Sequence, residues 1–197
     1  LAIANRAAAV AACTEEAGRI GVLLGCQVER LAPSGTALEP GETLLGLHGS
    51  GEALHAAWRL CQILLEYACG MATLARDMAA EAHLANPHCE ILVTRKSVPF
   101  AKAFCIKAIL AGGILPHRLG LSESVLVFAQ HRSLFPDDAS FRHALARVKA
   151  RCVEKKLVVE ADSSEEAQAL LRLGVDVVQL DKCRPHHIKE LVAWKQT

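Results

Sequence analysis

Apolar and polar positions follow two different rhythms along this chain, and the change comes near Cys89. Before it, Leu54, Ala57, Trp58, Cys61, Leu64 and Leu65 recur every three or four residues, the spacing of one helix face. This predicts a helix from Glu52 to about Ala68 that ends at Gly70. A second helix is expected from Ala72 to about Ala85, stopped by Asn86-Pro87. Upstream, Thr14 is placed to cap a helix through about Leu24, with Glu15 and Glu16 in its electropositive first turn. Turn sequences at 33–35 and 39–42 separate short apolar runs at Cys26–Leu31 and Thr43–Leu47, which read as strands.

After Cys89, short apolar runs alternate with helical stretches. "EILVT" at 90–94 is a strand, and Pro99 opens a helix through about Ala111 that Gly112-Gly113 ends. "GGILP" at 112–116 is a further candidate strand. "SVLVFA" at 124–129 is another, followed by a helix around Asp138–Lys149. "KLVVE" at 156–160 follows, then a helix with a Ser163/Glu166 capping box, closed by Gly174. "VDVVQL" at 175–180 is the last strand, before a helix from about Pro185. Uniformly apolar strands that alternate with helices are the signature of a buried parallel sheet. The expected fold class is α/β. A small α+β domain with linking helices would occupy 1–85, and an open α/β barrel of parallel strands 86–197.

Composition narrows the function. The 197 residues are 52% hydrophobic and 4% aromatic with a net charge of +1, enough for one or two domains with a real core. Near-neutral charge and few aromatics argue against nucleic-acid binding. No apolar run approaches the roughly 20 residues of a membrane helix. Arg6 interrupts the apolar start, which otherwise resembles a secretion leader, so a cytoplasmic protein is expected. The first residue is Leu, so the chain is expected to begin inside a longer protein. Eight cysteines form no CxxC pair and read as buried thiols in a reducing cytosol.

The charge that matters is local. Thr94 to Leu121 holds Arg95, Lys96, Lys102, Lys107, His117 and Arg118, with no Asp or Glu between Glu90 and Glu123. Parallel α/β folds gather ligand sites at the C-terminal ends of their strands. Arg95 and Lys96 follow the first such strand, His117 and Arg118 the second, and Gln130 and His131 the third. Glu160 and Asp162 follow the fourth, Asp181 and Lys182 the fifth. Arginine pairs bidentately with phosphate and carboxylate, and magnesium bridges one or two carboxylates to substrate phosphates. The combination predicts a site for a polyanionic phosphate substrate with Mg²⁺. Each piece also has a plainer reading. Arg95-Lys96 is equally a solvated loop pair, His117-Arg118 a polar turn, and Glu160 with Asp181 structural ions. Lys102 and Lys107 also fit the solvent side of a helix. Gly49-Ser50-Gly51 lacks the rest of a dinucleotide fingerprint, and His186-His187 lacks further metal ligands.

"GMAT" at 70–73, "TRKSVP", "AGGILPHRLGL", "VVEAD" and "VVQLDK" together resemble the quinolinate phosphoribosyltransferase family. The likeness runs in order over essentially the whole chain. The wording is nearest its ModD branch, pyrophosphorylases associated with molybdate transport genes. The resemblance implies transfer of phosphoribosyl from phosphoribosyl pyrophosphate to the nitrogen of a carboxylated heteroaromatic such as quinolinate, with pyrophosphate released and Mg²⁺ as cofactor. It implies that Arg95, Lys96, Lys102, His117, Arg118 and His131 bind substrate. Glu160 and Asp181 would serve catalysis and metal, and Arg59 would reach the neighbouring site of a homodimer.

There are departures from the family pattern. The usual "IKDNH" reads "VFAQH" at Val127–His131, so Phe128 stands where a lysine is expected. Lys102 replaces an arginine, Pro116 precedes His-Arg in place of asparagine, and Lys182 stands where asparagine follows the last Asp. These point to a changed base pocket. Both ends are short relative to the family, so the barrel is expected to be truncated at its C-terminal end. The competing reading is a non-catalytic or regulatory binder serving molybdate transport; a structural partner of a transporter is a further one.

Overall fold

The computed structural model of the chain describes residues 1–195, arranged as two compact units, Leu1–His117 and Arg118 onward. The first unit contains β1 (Ala2–Ala4), β2 (Ala9–Val10), α1 (Thr14–Leu23), β3 (Gln27–Leu31), β4 (Ala37–Leu38), β5 (Thr43–His48), α2 (Gly51–Ala85), β6 (Leu92–Val93), α3 (Lys102–Ala111) and β7 (Leu115–Pro116). Strands β1, β5 and β3 form an antiparallel sheet with β5 central, and β2 pairs β4. Strand β5 alternates its faces poorly because Leu44, Leu45 and Leu47 are all buried. They pack with Ala17 of α1 and with Ala57, Cys61 and Leu65 of α2.

Three local expectations change in this unit. Thr14 is the first residue of α1, not its cap. Cys13 occupies the cap position with φ 56, and the buried Thr14 hydroxyl donates to the Ala32 carbonyl at 2.6 Å. The two helices expected on either side of Gly70 are one, α2. An internal glycine costs about 1 kcal/mol against alanine. Burial of Leu65, Ala68, Cys69, Ala72 and Ala75 on both sides of Gly70 outweighs that. The third change is at α3, which starts at Lys102 rather than Pro99, because Phe100 has φ 63 and no helix continues through a left-handed residue.

The end of α3 explains why residues 86–117 belong to this unit. A Cβ on Gly112 would sit 2.3 Å from the Ala72 carbonyl oxygen and 2.6 Å from the Ala75 Cβ. Only glycine allows α2 and α3 to approach this closely. Gly113, at φ +87, then turns the chain into β7. Lys107 on α3 reaches α1, at 3.0 Å from Glu15 and 2.7 Å from Glu16. One cation of the basic run is therefore neutralised inside the unit.

The second unit contains β8 (Ser124–Val127), α4 (Ala129–Arg132), α5 (Asp138–Arg151), β9 (Lys156–Ala161), α6 (Ser164–Arg172), β10 (Val177–Leu180) and α7 (Pro185–Lys195). Its parallel sheet runs in the order β10-β9-β8. Leu157, Val159 and Ala161 bury one face of β9 against Phe141 and Leu145 of α5 and Ala167 and Leu170 of α6. Val125, Val127, Val178 and Leu180 join that core from the flanking strands. Two strands are shorter than expected. "SVLVFA" stops at Val127, where Phe128 caps α4, and "VDVVQL" begins at Val177. Asp176 is occupied before that, accepting from the Leu157 N–H at 2.9 Å and from Lys149 at 2.8 Å. Among the described residues the parallel strands form a two-stranded sheet, β6-β7, and this three-stranded one, with no closed barrel.

Gly112→Ala is expected to lower stability by about 1–3 kcal/mol through overpacking against Ala72, read as a shift in denaturant midpoint. Glu15 generates a second prediction. Partial burial works to raise its carboxyl, but the Ser34 hydroxyl and N–H and the Lys107 ammonium outweigh that and hold it near about 2, against an ordinary 4.5. Because the folded value is depressed, the stabilisation is complete above about pH 4.5 and disappears as pH falls toward about 2. Lys107→Met should flatten this acid dependence; an unchanged acid limb in unfolding titrations would contradict it.

Candidate functional site

Within the first unit, β6 and β7 run parallel, with Leu92 opposite Leu115 and Val93 opposite Pro116. The His117 N–H extends the ladder by donating to the Val93 carbonyl at 2.8 Å. Arg95 and His117 therefore leave the same, C-terminal edge of this small sheet. Arg95 and Lys96 are exposed, and a tight turn closes them, the Ser97 N–H donating to the Arg95 carbonyl at 2.9 Å. Lys102, exposed, opens α3. Between them Phe100 stands fully exposed in its left-handed conformation, which no pattern in the sequence announced.

Within the second unit, strand alternation and register decide what faces where. Val159 and Ala161 face the helices, so Glu160 faces the other way. Glu160 lies opposite Gln179 on β10, and Val178 and Leu180 on either side of Gln179 face the helices too. Val127 pairs Val159, and the chain leaves the ladder at Phe128, which caps α4. At the C-terminal edge Glu160 and Gln179 thus stand side by side. Asp162 and Asp181 are the first residues past the ends of β9 and β10, with Asp181 3.6 Å from Lys182. Sequence reading singles out Glu160 and Asp181 but passes over Gln179. It lies between Val178 and Leu180, and the alternation of those two apolar positions is the signal that points to it.

His131 on α4 folds back, its Nδ1 accepting the Phe128 N–H at 2.9 Å and its ring 5.7 Å from the phenyl ring. It keeps one ring nitrogen for a ligand. Glu166 fulfils only half of the expected capping box. The Ser163 hydroxyl accepts from its N–H, but its carboxylate takes the Asp162 N–H and the Arg132 guanidinium. Arg132 also lies 4.9 Å from the Phe141 ring centre. This clamp joins the segments that follow β8 and β9.

Arg118 departs from its expected place. Its guanidinium donates to the carbonyl of Ser124 at 3.5 Å, and Ser124 is the first residue of β8. At roughly 3.3 Å per residue, that is about 13 Å back along the strand from Phe128 and the level of Glu160. Arg118 here tethers the 118–124 loop instead of sharing the carboxylates' edge. Arg59 is exposed on α2, stacked 4.0 Å over the Trp58 ring and 3.3 Å from Gln62.

The thiols offer no nucleophile in the core. Burial and the nearby Glu16 carboxylate push Cys13 up to about 11, and burial likewise raises Cys61 and Cys69. Among the described residues no cluster of three or more His, Cys, Asp or Glu could hold a metal by itself. Among the described residues no helix is long and apolar enough to cross a membrane.

Comparison with known proteins decides the family. The quinolinate phosphoribosyl transferase N-terminal domain matches residues 1–69 and the C-terminal domain residues 71–197. The chain belongs to the quinolinate phosphoribosyl transferase family. Among relatives, ModD of Rhodobacter capsulatus, which bears the name of a pyrophosphorylase, is 42% identical over 193 residues, 98% of this chain and 74% of that protein. ModD of Pasteurella multocida is 36% identical over 79% of this chain and 55% of its own length. An Archaeoglobus fulgidus protein named as a carboxylating nicotinate-nucleotide pyrophosphorylase is 30% identical over 80% of the chain and 59% of its own. Two solved structures share the fold. NadC from Streptococcus pyogenes superposes with TM-score 0.81 at 24% identity, over 96% of this chain and 67% of that one. The nicotinate-nucleotide pyrophosphorylase from Ehrlichia chaffeensis gives 0.84 at 20%, over 99% and 70%. The chain thus spans between about half and three quarters of the relatives it matches.

Arg132→Ala should loosen the segments after β8 and β9 and leave the Glu166 carboxylate half-buried without its ion pair. Hydrogen exchange is expected to rise at Asp162 and around α4, with a stability loss of about 1–3 kcal/mol.

Proposed function

We propose that the protein is a phosphoribosyltransferase that moves phosphoribosyl from phosphoribosyl pyrophosphate to the ring nitrogen of a carboxylated heteroaromatic and releases pyrophosphate. The observation that carries this reading is the family match over both parts of the chain. In each unit, taken by itself, the polar side chains also leave the C-terminal edges of parallel strands.

In this reading Arg95, Lys96 and Lys102 hold anionic oxygens of the donor or acceptor, and His117 donates to the acceptor's carboxylate. The α4 imidazole of His131 contributes its remaining N–H. Bond breaking leaves positive charge at the anomeric carbon, and Glu160 is placed to offset it without moving. The two carboxylates of Glu160 and Asp181 fit Mg²⁺, which takes one or two protein carboxylates and fills its shell with phosphate oxygens and water. Bound there, it would neutralise the departing pyrophosphate. A reducing cytoplasm suits eight cysteines that are all free thiols.

The reading includes a homodimer in which Arg59 serves the neighbouring site. Its support is the surface around Arg59: Leu60, Ile63, Tyr67, Leu74 and Met78 lie exposed along α2 at helical spacing. Trp58 stacking and Gln62 hold the guanidinium in an extended pose beside that stripe.

Pyrophosphate release by the full-length protein, with phosphoribosyl pyrophosphate, Mg²⁺ and a panel of pyridine carboxylates, tests the reaction. Glu160→Gln is expected to cost about 10²–10³-fold in kcat. Arg95→Ala should act mainly on KM. No release with any acceptor would contradict the assignment. Sedimentation should show a dimer that Tyr67→Glu weakens; a wild-type monomer would remove the role given to Arg59.

A further inference from the structure

Phe100 sits in a strained turn with no packing to hold it there. Pro99 and Phe100 form the two corners of this turn, which the Ala101 N–H closes by donating to the Val98 carbonyl at 3.1 Å. Phe100 has φ 63, the sign required at the second corner of a type II turn, where glycine is the usual residue. A side chain with a Cβ is disfavoured in that region. Cys13, at φ 56 in the same unit, is held by burial and by its N–H donating to the Ser34 hydroxyl at 2.9 Å. Phe100 has no comparable hold. Its ring is fully exposed, and Val98 across the turn is mostly exposed as well. Strained residues of this kind cluster at ligand-binding sites.

The same loop is cationic. Arg95 and Lys96 precede the turn, Lys102 follows it, and no Asp or Glu lies between Glu90 and Glu123. Lys107 is answered by Glu15 and Glu16, whereas Arg95 and Lys96 are exposed. A chain advances at most about 3.6 Å per residue, so the Cα of Lys102 is within about 7 Å of that of Phe100 and the Cα of Lys96 within about 14 Å. A small ligand on the ring therefore has positive charge at hand from the loop itself.

We infer that Phe100 is a stacking platform for a flat anionic ring, whose carboxylate the cations of the same loop hold. A phosphate alone would leave the ring unused, and a purely apolar partner would leave the cations unused. In the transfer reaction proposed above, on which this assignment rests, the ligand of that class is the acceptor. Phe100 is then a specificity-determining residue. It favours an aromatic acid over a saturated one of equal charge, by offset stacking as well as by covered area. The left-handed turn lifts the ring clear of the core and keeps it available.

Calorimetric titration of the full-length protein, with and without phosphoribosyl pyrophosphate, tests this at matched charge. Pyridine-3-carboxylate is compared with cyclohexanecarboxylate, and pyridine-2,3-dicarboxylate with cyclohexane-1,2-dicarboxylate, beside pyrophosphate release with each aromatic acid. At least one aromatic acid is expected to bind about tenfold more tightly than its saturated counterpart. Phe100→Gly should abolish that preference and leave the denaturant midpoint equal or higher, because glycine accepts φ 63 without strain. Phe100→Trp should keep the preference. The inference is overturned if neither aromatic acid binds, if neither pair shows a preference, or if the preference survives Phe100→Gly. A lower midpoint in Phe100→Gly would also overturn it, by showing that the ring supports the fold. So would a change in sedimentation with acid binding unaltered, which would assign the ring to a second copy of the chain. A preference lost in Phe100→Gly, without pyrophosphate release from any acid, would leave this inference standing and remove the transferase reading instead.

Discussion

Everything proposed for the second unit depends on one constraint, the two-residue alternation of β9 locked by its hydrophobic face. Val159 and Ala161 are almost completely excluded from solvent, under α5 and α6. A one-residue slip would bury Glu160 in that core and expel Val159, exchanging a favourable transfer for an unpaired buried charge. The apolar residues thus aim the polar ones. β8 and β10 inherit the setting through their ladders with β9, which is how Gln179 comes to lie beside Glu160.

The first unit solves a similar problem by close packing. Gly112 brings α3 onto α2, and Lys107 ties α3 to the start of α1. Together they fix α3, the helix of the β6–α3–β7 segment that carries Arg95, Lys96, Lys102 and His117. The basic run that stands out in the sequence is therefore divided. Lys107 is structural, and Arg95, Lys96 and Lys102 are exposed.

Much of this was legible beforehand because it is written in local periodicity. The uniformly apolar run in "KLVVE" marks β9 with Glu160 at its end, and the motif likeness points to the family; the face Glu160 takes needed the packing of Val159 and Ala161. What escaped needed tertiary information. Gly70 looked like a stop, but packing carried α2 through it. Pro99 looked like a helix start, yet the left-handed Phe100 delayed α3 to Lys102. Arg118 follows β7 in sequence, but its guanidinium is spent on the Ser124 carbonyl, a contact no spacing rule predicts. Gln179 was hidden because a lone glutamine in an apolar run has no motif, and only the pairing with Glu160 gives it meaning.

A crystal structure of the full-length protein with phosphoribosyl pyrophosphate and Mg²⁺ tests the central claim most directly. The account places the donor's ribose within hydrogen-bonding distance of Glu160, on the face of β9 away from α5 and α6. A donor bound elsewhere, or Glu160 turned toward those helices, would contradict it.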